Sequence, residues 1–130
     1  MKTTGAGGIL LNERREVLLI LRKNSPTFND LWSGPGGKIE GNESPEQTAE
    51  REFKEEVGLI VKVNKSLGRY IDRDEGKVRG FYKGFLVDLI SGSLMIKEPE
   101  KLQEARYFPL NELPENLAPF TREYIKALRR

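Results

Sequence analysis

One segment of the chain carries a full set of helix boundary signals, and it constrains the fold more than any other. Ser44 can cap the helix, Pro45 fits its first turn, and Gln47 stands where a capping box with Ser44 needs it. Gly58 supplies the stop signal. The apolar positions between these ends recur every four residues, at Ala49, Phe53 and Val57. Because so narrow a stripe needs an apolar surface to pack on, the sequence predicts a helix that lies against a sheet.

The rest of the pattern predicts strands and one more helix. Short apolar runs and half-buried patterns predict strands at residues 8–11, 17–21, 59–71, 81–90 and 106–110. A turn at 72–77 would join the third and fourth strands into a hairpin, and residues 120–128 would form a closing helix. Residues 22–37 are broken by Pro and Gly, which is typical of a long loop. We therefore expect the α/β (α+β) class and a single domain, residues 1–130, since this length suits one core.

The composition limits the chemistry that the chain can perform. It contains no Cys and no His, which excludes disulfides, thiolate metal sites and imidazole bases. A formal net charge of +2 gives little reason to expect nucleic acid as a partner. No apolar run approaches the roughly 20 residues that span a bilayer, and the start lacks a signal-peptide core, so we expect no membrane partner and a cytoplasmic location. Function must therefore depend on carboxylates, Lys, Arg, Tyr or hydroxyl groups.

Three carboxylates crowd one side of the predicted helix. At 100° per residue, Glu52, Glu55 and Glu56 fall within an arc of about 100° beside the apolar stripe. Each like-charged pair costs an isolated helix roughly 0.2–0.5 kcal/mol, so a cation should compensate them. Arg51 or Lys54 could do this in an ordinary solvated acidic face, and a metal ion could do it in a binding site. Ligands that are all oxygen atoms would suit Mg²⁺, with Mn²⁺ as a substitute.

The residues around these carboxylates follow a fixed spacing. Gly37 is followed after five residues by Glu43, and after seven more by residues 51–59, REFKEEVGL. This pattern resembles the complete Nudix box. The flanks are similar to those of Nudix proteins as well, both in residues 32–40 before the box and in residues 104–108 near the end of the chain. The similarity thus extends over most of the chain.

The resemblance implies a Nudix fold, in which a mixed β-sheet is sandwiched between α-helices and the box binds Mg²⁺ and the substrate's phosphates. Carried over position by position, it implies metal ligands at Gly37 through its carbonyl, Glu52, Glu55 and Glu56. The base that deprotonates water would be Glu52 or Glu55, with the choice between them left open. Arg51 and Glu43 would form an orienting ion pair.

Residues outside the box are predicted to complete the site. A further carboxylate is expected from Glu98, Glu100 or Glu104, and Glu104 is preferred because it precedes a strand that could aim it inward. The residues predicted to bind the substrate are Arg22, Lys23, Trp32 and Lys38. The basic residues among them could reach a phosphate or a base. The indole could stack on a nucleobase, or it could anchor its loop in the core.

The short chain and the lead-in Gly-Pro-Gly-Gly-Lys-Ile-Glu resemble the MutT-like branch of the family. This implies a Mg-dependent pyrophosphohydrolase that cleaves a nucleoside triphosphate, oxidised ones included, to the monophosphate and pyrophosphate. Hydrolysis of ADP-ribose or another nucleoside-diphosphate compound is an alternative, although that branch typically carries a Pro beyond the box and none occurs here between Pro45 and Pro99.

Two other readings of the resemblance stay open. One is a hydrolase of RNA 5′ pyrophosphates, and the other is a non-catalytic domain that senses a nucleotide. The presence of all four box glutamates favours catalysis over sensing. The expected partners are a small-molecule nucleotide and, in a homodimer, a second copy of the chain.

Overall fold

The computed structural model describes residues 2–25 and 28–129, so Met1, Arg130 and, in the predicted loop, Pro26 and Thr27 lie outside the described residues. The elements in chain order are β1 (Gly5–Leu10), β2 (Glu16–Arg22), β3 (Trp32–Ser33), β4 (Gly36–Lys38), α1 (Pro45–Val57), β5 (Ile60–Asp74), β6 (Lys77–Ser91), β7 (Leu102–Pro109) and α2 (Pro119–Ala127). The predicted α+β class is confirmed. In the described part of the chain, no helix has the length and apolar character that a membrane span requires.

The strands form two sheets. One has the order β4-β1-β6-β5, and in it β1 and β6 run parallel while the other neighbours run antiparallel. The other has the order β3-β2-β7 and is antiparallel throughout. The four-stranded sheet is thus the predicted mixed sheet, whereas the separate three-stranded sheet was not predicted.

The two helices cover opposite faces of the mixed sheet. The apolar stripe of α1 packs in one core with Leu10 and Val87, which are paired across β1 and β6. Tyr124 of α2 packs in a second core with Ile9 and Leu86, the pair one residue earlier on the same strands. Because successive strand residues point to opposite faces, the sheet lies between α1 and α2, as predicted.

Strand β2 is buried on both faces, as its continuous apolar run predicted. Leu18 and Ile20 face the core beneath α1, and Val17 and Leu19 face the core beneath α2. None of the four is exposed to solvent. Strand β2 therefore connects the two cores and holds its last residue, Arg22, in a fixed position.

The other differences from the predicted elements lie at strand boundaries. The predicted loop contains the two short strands β3 and β4, which form only by pairing with β2 and β1. Strands β1 and β7 begin earlier than predicted. The predicted hairpin is confirmed with longer strands, and Glu75 and Gly76 at its turn have positive φ angles of 51° and 82°, as a tight hairpin turn requires.

Candidate active site

The boundaries of α1 fix where its carboxylates lie. The Ser44 hydroxyl accepts a hydrogen bond from the Gln47 amide at 3.1 Å, and the Gln47 side-chain oxygen accepts one from the Ser44 amide at 2.9 Å. Gly58 follows the last turn with a left-handed φ of 71°. The predicted capping box and glycine stop are both present. With the helix fixed in this way, Glu52 and Glu56 lie beside β4.

Glu56 is a buried carboxylate, with 2% of its surface exposed. Its Oε2 accepts a hydrogen bond from Arg22 Nη1 at 2.9 Å, and its Oε1 accepts one from the Gly36 amide at 3.0 Å. Arg22 also donates from Nη2 to the Gly36 carbonyl at 2.7 Å. Burial raises the pKa of Glu56, and the Arg22 charge opposes part of that rise. The end of β2, strand β4 and helix α1 therefore meet at one carboxylate.

Arg51 binds the remaining carboxylates of the box. It donates from Nε and Nη2 to the two oxygens of Glu43, at 2.7 and 3.1 Å. Its Nη1 donates to Glu52 and Glu55 at 2.9 Å each, and its Nη2 also donates to the Lys38 carbonyl at 2.9 Å. The hydrogen bonds from Arg51 lower the pKa of Glu43 to about 2. The structure therefore contains the predicted pair of Arg51 and Glu43.

Glu52 lies between the two arginine networks. Burial and the negative charge of Glu56 raise the pKa of Glu52 to about 7, and Arg51 opposes that rise. Gly37 packs directly on this carboxylate, because a Cβ atom at Gly37 would lie 2.5 Å from Glu52 Oε1. A side chain at this position would displace the Glu52 carboxylate from where it now lies.

The chemistry of these donors fits a divalent cation. Glu52, Glu55 and Glu56 offer only oxygen atoms, and a nearby cation would stabilise the charged forms that burial disfavours. In the part of the chain that the structure describes, however, no group of three or more acidic side chains is arranged to hold a metal ion. Oxygen atoms of these carboxylates are instead paired with Arg22 and Arg51.

A cleft of about 610 Å³ borders this arrangement. It is lined by Gly36 and by Arg22, the two residues that bond Glu56, while the carboxylates of α1 stand outside its lining. The described residues that line it include no Asp or Glu and five cations, namely Arg22, Lys23, Lys38, Arg79 and Lys101. A concave surface with charges of one sign attracts ligands of the opposite sign. The cleft is therefore suited to an anionic group such as a polyphosphate.

Another part of the cleft is aromatic. The ring centroids of Phe28 and Phe120 lie 5.1 Å apart in an edge-to-face arrangement. The Tyr82 ring lies 5.5 Å from Phe120 and 6.3 Å from Phe28. The Arg79 guanidinium lies 5.7 Å from the centroid of the Phe28 ring. Rings next to cations can accommodate a flat heterocycle attached to a charged chain.

The structure brings four of the predicted residues into the cleft lining, namely Arg22, Lys23, Gly37 and Lys38. Trp32 is not among them. Its surface is 7% exposed, and its ring packs on Phe108 with centroids 4.8 Å apart, in the core beneath α2. The indole therefore anchors its loop, and its position gives no support to the prediction that it stacks on a nucleobase.

Glu104 has a cationic partner on its own strand, β7. It pairs with Arg106 at 2.8 Å, and the Arg106 guanidinium stacks over the Trp32 ring. Glu98, in contrast, lies close enough to Glu56 for its negative charge to raise the Glu56 pKa. Glu98 is thus a second candidate beside the box, and the further carboxylate, for which Glu104 was preferred, stays a prediction.

Several residues that line the cleft carried no recognisable signal in the sequence. They are Phe28, Arg79, Lys101 and Phe120. An isolated aromatic or basic residue is ordinary in a loop, at a strand end or in a first helical turn. Phe28 follows β2, Lys101 precedes β7, and Arg79 and Phe120 lie on β6 and α2. A correct topology was therefore needed before these residues could be placed together.

Comparison with known proteins places this geometry in a family. The family model of the NUDIX domain matches residues 1–128. An ADP-ribose pyrophosphatase of Methanocaldococcus jannaschii is 42% identical over 108 residues, which cover 81% of this chain and 61% of that protein. A putative 8-oxo-dGTP diphosphatase of Bacillus subtilis is 41% identical over 70 residues, which cover 54% of this chain and 44% of that protein. The chain thus spans less than two thirds of the length of either relative.

Solved structures agree with the architecture. The crystal structure of a MutT NUDIX hydrolase from Burkholderia pseudomallei matches with a TM-score of 0.84 and 26% identity, covering 98% of this chain and 99% of that one. An ADP-ribose pyrophosphatase from Streptococcus suis matches with a TM-score of 0.72 and 23% identity, covering 97% and 91%. The predicted Nudix fold is confirmed.

Proposed function

Because this chain belongs to the NUDIX domain family, we propose that it is a hydrolase that cuts a pyrophosphate linkage of a nucleotide with the help of divalent cations. Nudix hydrolases generally depend on divalent metal ions and act on small nucleotides. Mg²⁺ is the proposed cation, with Mn²⁺ able to replace it. The proposed substrate is a nucleoside triphosphate, oxidised ones included, which is split into the monophosphate and pyrophosphate. The observation that carries the proposal is the position of three carboxylates beside a cleft lined by cations.

The proposed metal ligands are the carbonyl of Gly37 and the carboxylates of Glu52, Glu55 and Glu56, with a further carboxylate from Glu104 or Glu98. Divalent cations bound there would neutralise phosphate oxygens and lower the pKa of a bound water. Arg22 lines the cleft, and we propose that it binds a phosphate. Burial and the charge of Glu56 raise the pKa of Glu52 in the absence of a cation. The proposed base is Glu52 or Glu55.

The strand register supports a nucleoside with its phosphates at β4. Lys38 of β4, Gly5 of β1 and Tyr82 of β6 lie side by side on neighbouring strands. Two strand spacings separate Lys38 from Tyr82, which is about 10 Å. A base near the Tyr82 ring could therefore carry phosphates that reach the cations near β4. The excess of cations also favours a triphosphate over substrates with fewer negative charges.

ADP-ribose is a second candidate substrate, because the M. jannaschii relative named ADP-ribose pyrophosphatase is 42% identical to this chain. The two substrates give different products, since a triphosphate releases pyrophosphate whereas ADP-ribose yields two monophosphates. A product analysis separates them directly.

The test is a nucleotide panel with Mg²⁺ that includes triphosphates, oxidised triphosphates and ADP-ribose. We expect release of pyrophosphate from a triphosphate, and a fall in kcat of roughly 100-fold or more in Glu56→Gln, because a charged group at the reacting centre is removed. Glu46→Gln is the matched control, since this exposed residue is in the first turn of the same helix. It should keep the rate of the unaltered protein.

Each remaining outcome of the panel has a clear meaning. Hydrolysis of ADP-ribose alone would move the proposal to the second substrate. Tight binding of one nucleotide without any turnover would overturn the proposal of a hydrolase and would indicate a domain that senses a nucleotide. Full activity in Glu56→Gln would overturn the assigned site.

A further inference from the structure

A buried carboxylate lies behind the aromatic part of the cleft. Asp72 is 5% exposed. Its Oδ1 accepts a hydrogen bond from Arg79 Nη2 at 3.1 Å, and its Oδ2 accepts one from the Tyr82 hydroxyl at 2.9 Å. Arg79 and Tyr82 both line the cleft, whereas Asp72 does not. Asp72 therefore holds two cleft residues from behind.

A β-bulge aims Arg79 at this carboxylate. In the ladder between β5 and β6, Asp72 lies opposite Gly80, and the next residue of β5 lies opposite Val78. Arg79 is thus the extra residue on β6. Bulges change the direction of a side chain and are frequent beside active sites. Here the bulge brings the guanidinium to Asp72 and to the face of the Phe28 ring, and these contacts fix its position.

Tyr82 reaches the same carboxylate diagonally across the hairpin. Tyr70 is directly opposite Tyr82, and Asp72 is two residues further along β5. Aromatic side chains can span such a diagonal. Gly80 leaves the space for it, because a Cβ atom there would lie 2.5 Å from the Tyr82 ring. The hydroxyl proton is therefore directed to Asp72, and the hydroxyl oxygen keeps lone pairs for a ligand.

On the basis of the proposed function, we propose that Asp72 is a positioning residue that fixes Arg79 and Tyr82 as the polar edge of the base subsite, and that this edge selects 6-oxopurines over 6-aminopurines. A guanidinium only donates hydrogen bonds, and Asp72 takes one of its five N–H donors. The side-by-side O6 and N7 acceptors of a guanine-type ring match such a group.

The same edge disfavours an adenine-type ring for two reasons. Adenine presents an amino donor where guanine presents O6, so a donor would face the guanidinium and both groups would lose hydrogen bonds. The N1–H group of guanine can donate a hydrogen bond to the Tyr82 oxygen. In adenine the same ring nitrogen carries only a lone pair and cannot donate one. The selection depends on Asp72, because without its charge Arg79 keeps only its contact with the Phe28 ring, and the Tyr82 hydroxyl loses its charged acceptor.

The experiment compares kcat and KM for guanine, hypoxanthine and adenine nucleoside triphosphates in the unaltered protein and in Asp72→Asn, which keeps the side-chain volume. We expect the unaltered protein to prefer the two 6-oxopurines by roughly tenfold or more in kcat/KM. Asp72→Asn should lose most of that preference, because KM should rise more for the 6-oxopurines than for adenine triphosphate. Asp74→Asn is the matched control, since Asp74 is exposed and lies 4.0 Å from the Arg79 guanidinium; it should keep the preference.

Two further measurements keep the outcome clear. If Asp72→Asn does not fold, Arg79→Gln should show the same loss of preference for 6-oxopurines. Arg79 is 35% exposed, and its replacement leaves Asp72 paired with Tyr82. Calorimetric binding of GMP and AMP, run in parallel, measures the base preference even if no nucleotide is hydrolysed. An unchanged preference in a folded Asp72→Asn variant, or tighter binding of AMP than of GMP, would overturn this inference. Absence of hydrolysis together with a GMP preference would instead overturn only the proposed function.

Discussion

Two arginines hold the carboxylates around α1, and they do so in different surroundings. Arg51 meets Glu43 at a partly exposed position, where the pKa of Glu43 falls to about 2. Arg22 meets Glu56 in a buried position, where the pKa of Glu56 rises although the pair is nearly as short, at 2.9 Å against 2.7 Å. The cost of removing charge from water explains the difference. The first pair fixes the loop to the helix, and the second leaves a carboxylate that a further cation could stabilise.

The largest expected effect comes from breaking the buried pair. Arg22→Met should lower the free energy of unfolding by about 3 kcal/mol, because Glu56 then lacks a counter-charge. The folded-state pKa of Glu56 is raised, so the folded protein binds the extra proton and the loss should be smaller at pH 5 than at pH 8. Urea unfolding at the two pH values measures this, with Arg22→Lys as the milder control. A small loss of unfolding free energy that is equal at both pH values would contradict the view that burial sets the pKa of Glu56.

Breaking the partly exposed pair should cost less. Glu43→Gln should lower the free energy of unfolding by about 1 kcal/mol near pH 7, after allowance for solvent screening. The folded-state pKa of Glu43 is depressed from 4.5 to about 2, so its contribution is complete above pH 4.5 and is lost as the pH falls toward 2. The difference between the variant and the unaltered protein should therefore shrink over that interval. A difference that stays constant there would show that Arg51 is not what holds Glu43.

Breaking an exposed ion pair should have the smallest effect on the free energy of unfolding. Lys126 and Glu123 are 3.2 Å apart on α2, and both side chains are about half exposed. Lys126→Gln should change the free energy of unfolding by less than about 0.5 kcal/mol, because solvent screens such pairs. A thermal or urea unfolding curve is sufficient. A larger loss would mean that burial is not what distinguishes the two arginine pairs.

Local signals made α1 and the hairpin predictable. The cap at Ser44, the stop at Gly58 and the turn at Glu75 and Gly76 act within a few residues, so the sequence alone reveals them. Strands β3 and β4 could not be found in this way, because short Gly-containing segments become strands only when distant strands pair with them.

The residues of the site also divide into those that local sequence signals reveal and those that depend on tertiary packing. The box spacing identified the carboxylates and the pair of Arg51 and Glu43, whose partners lie within one loop and one helix. The positions of Glu104 and Trp32 depend on how β7 and β3 pack, which no local pattern specifies. Arg79 is aimed by a bulge whose existence follows from the strand register.

The central claim is that the carboxylates of α1 bind divalent cations, and a calorimetric titration with Mg²⁺ tests it most directly. The unaltered protein should bind the ion, and Glu52→Gln and Glu56→Gln should each weaken that binding by roughly tenfold or more. Glu46→Gln on the same helix should bind as the unaltered protein does. Equal affinity in all four proteins would contradict the claim.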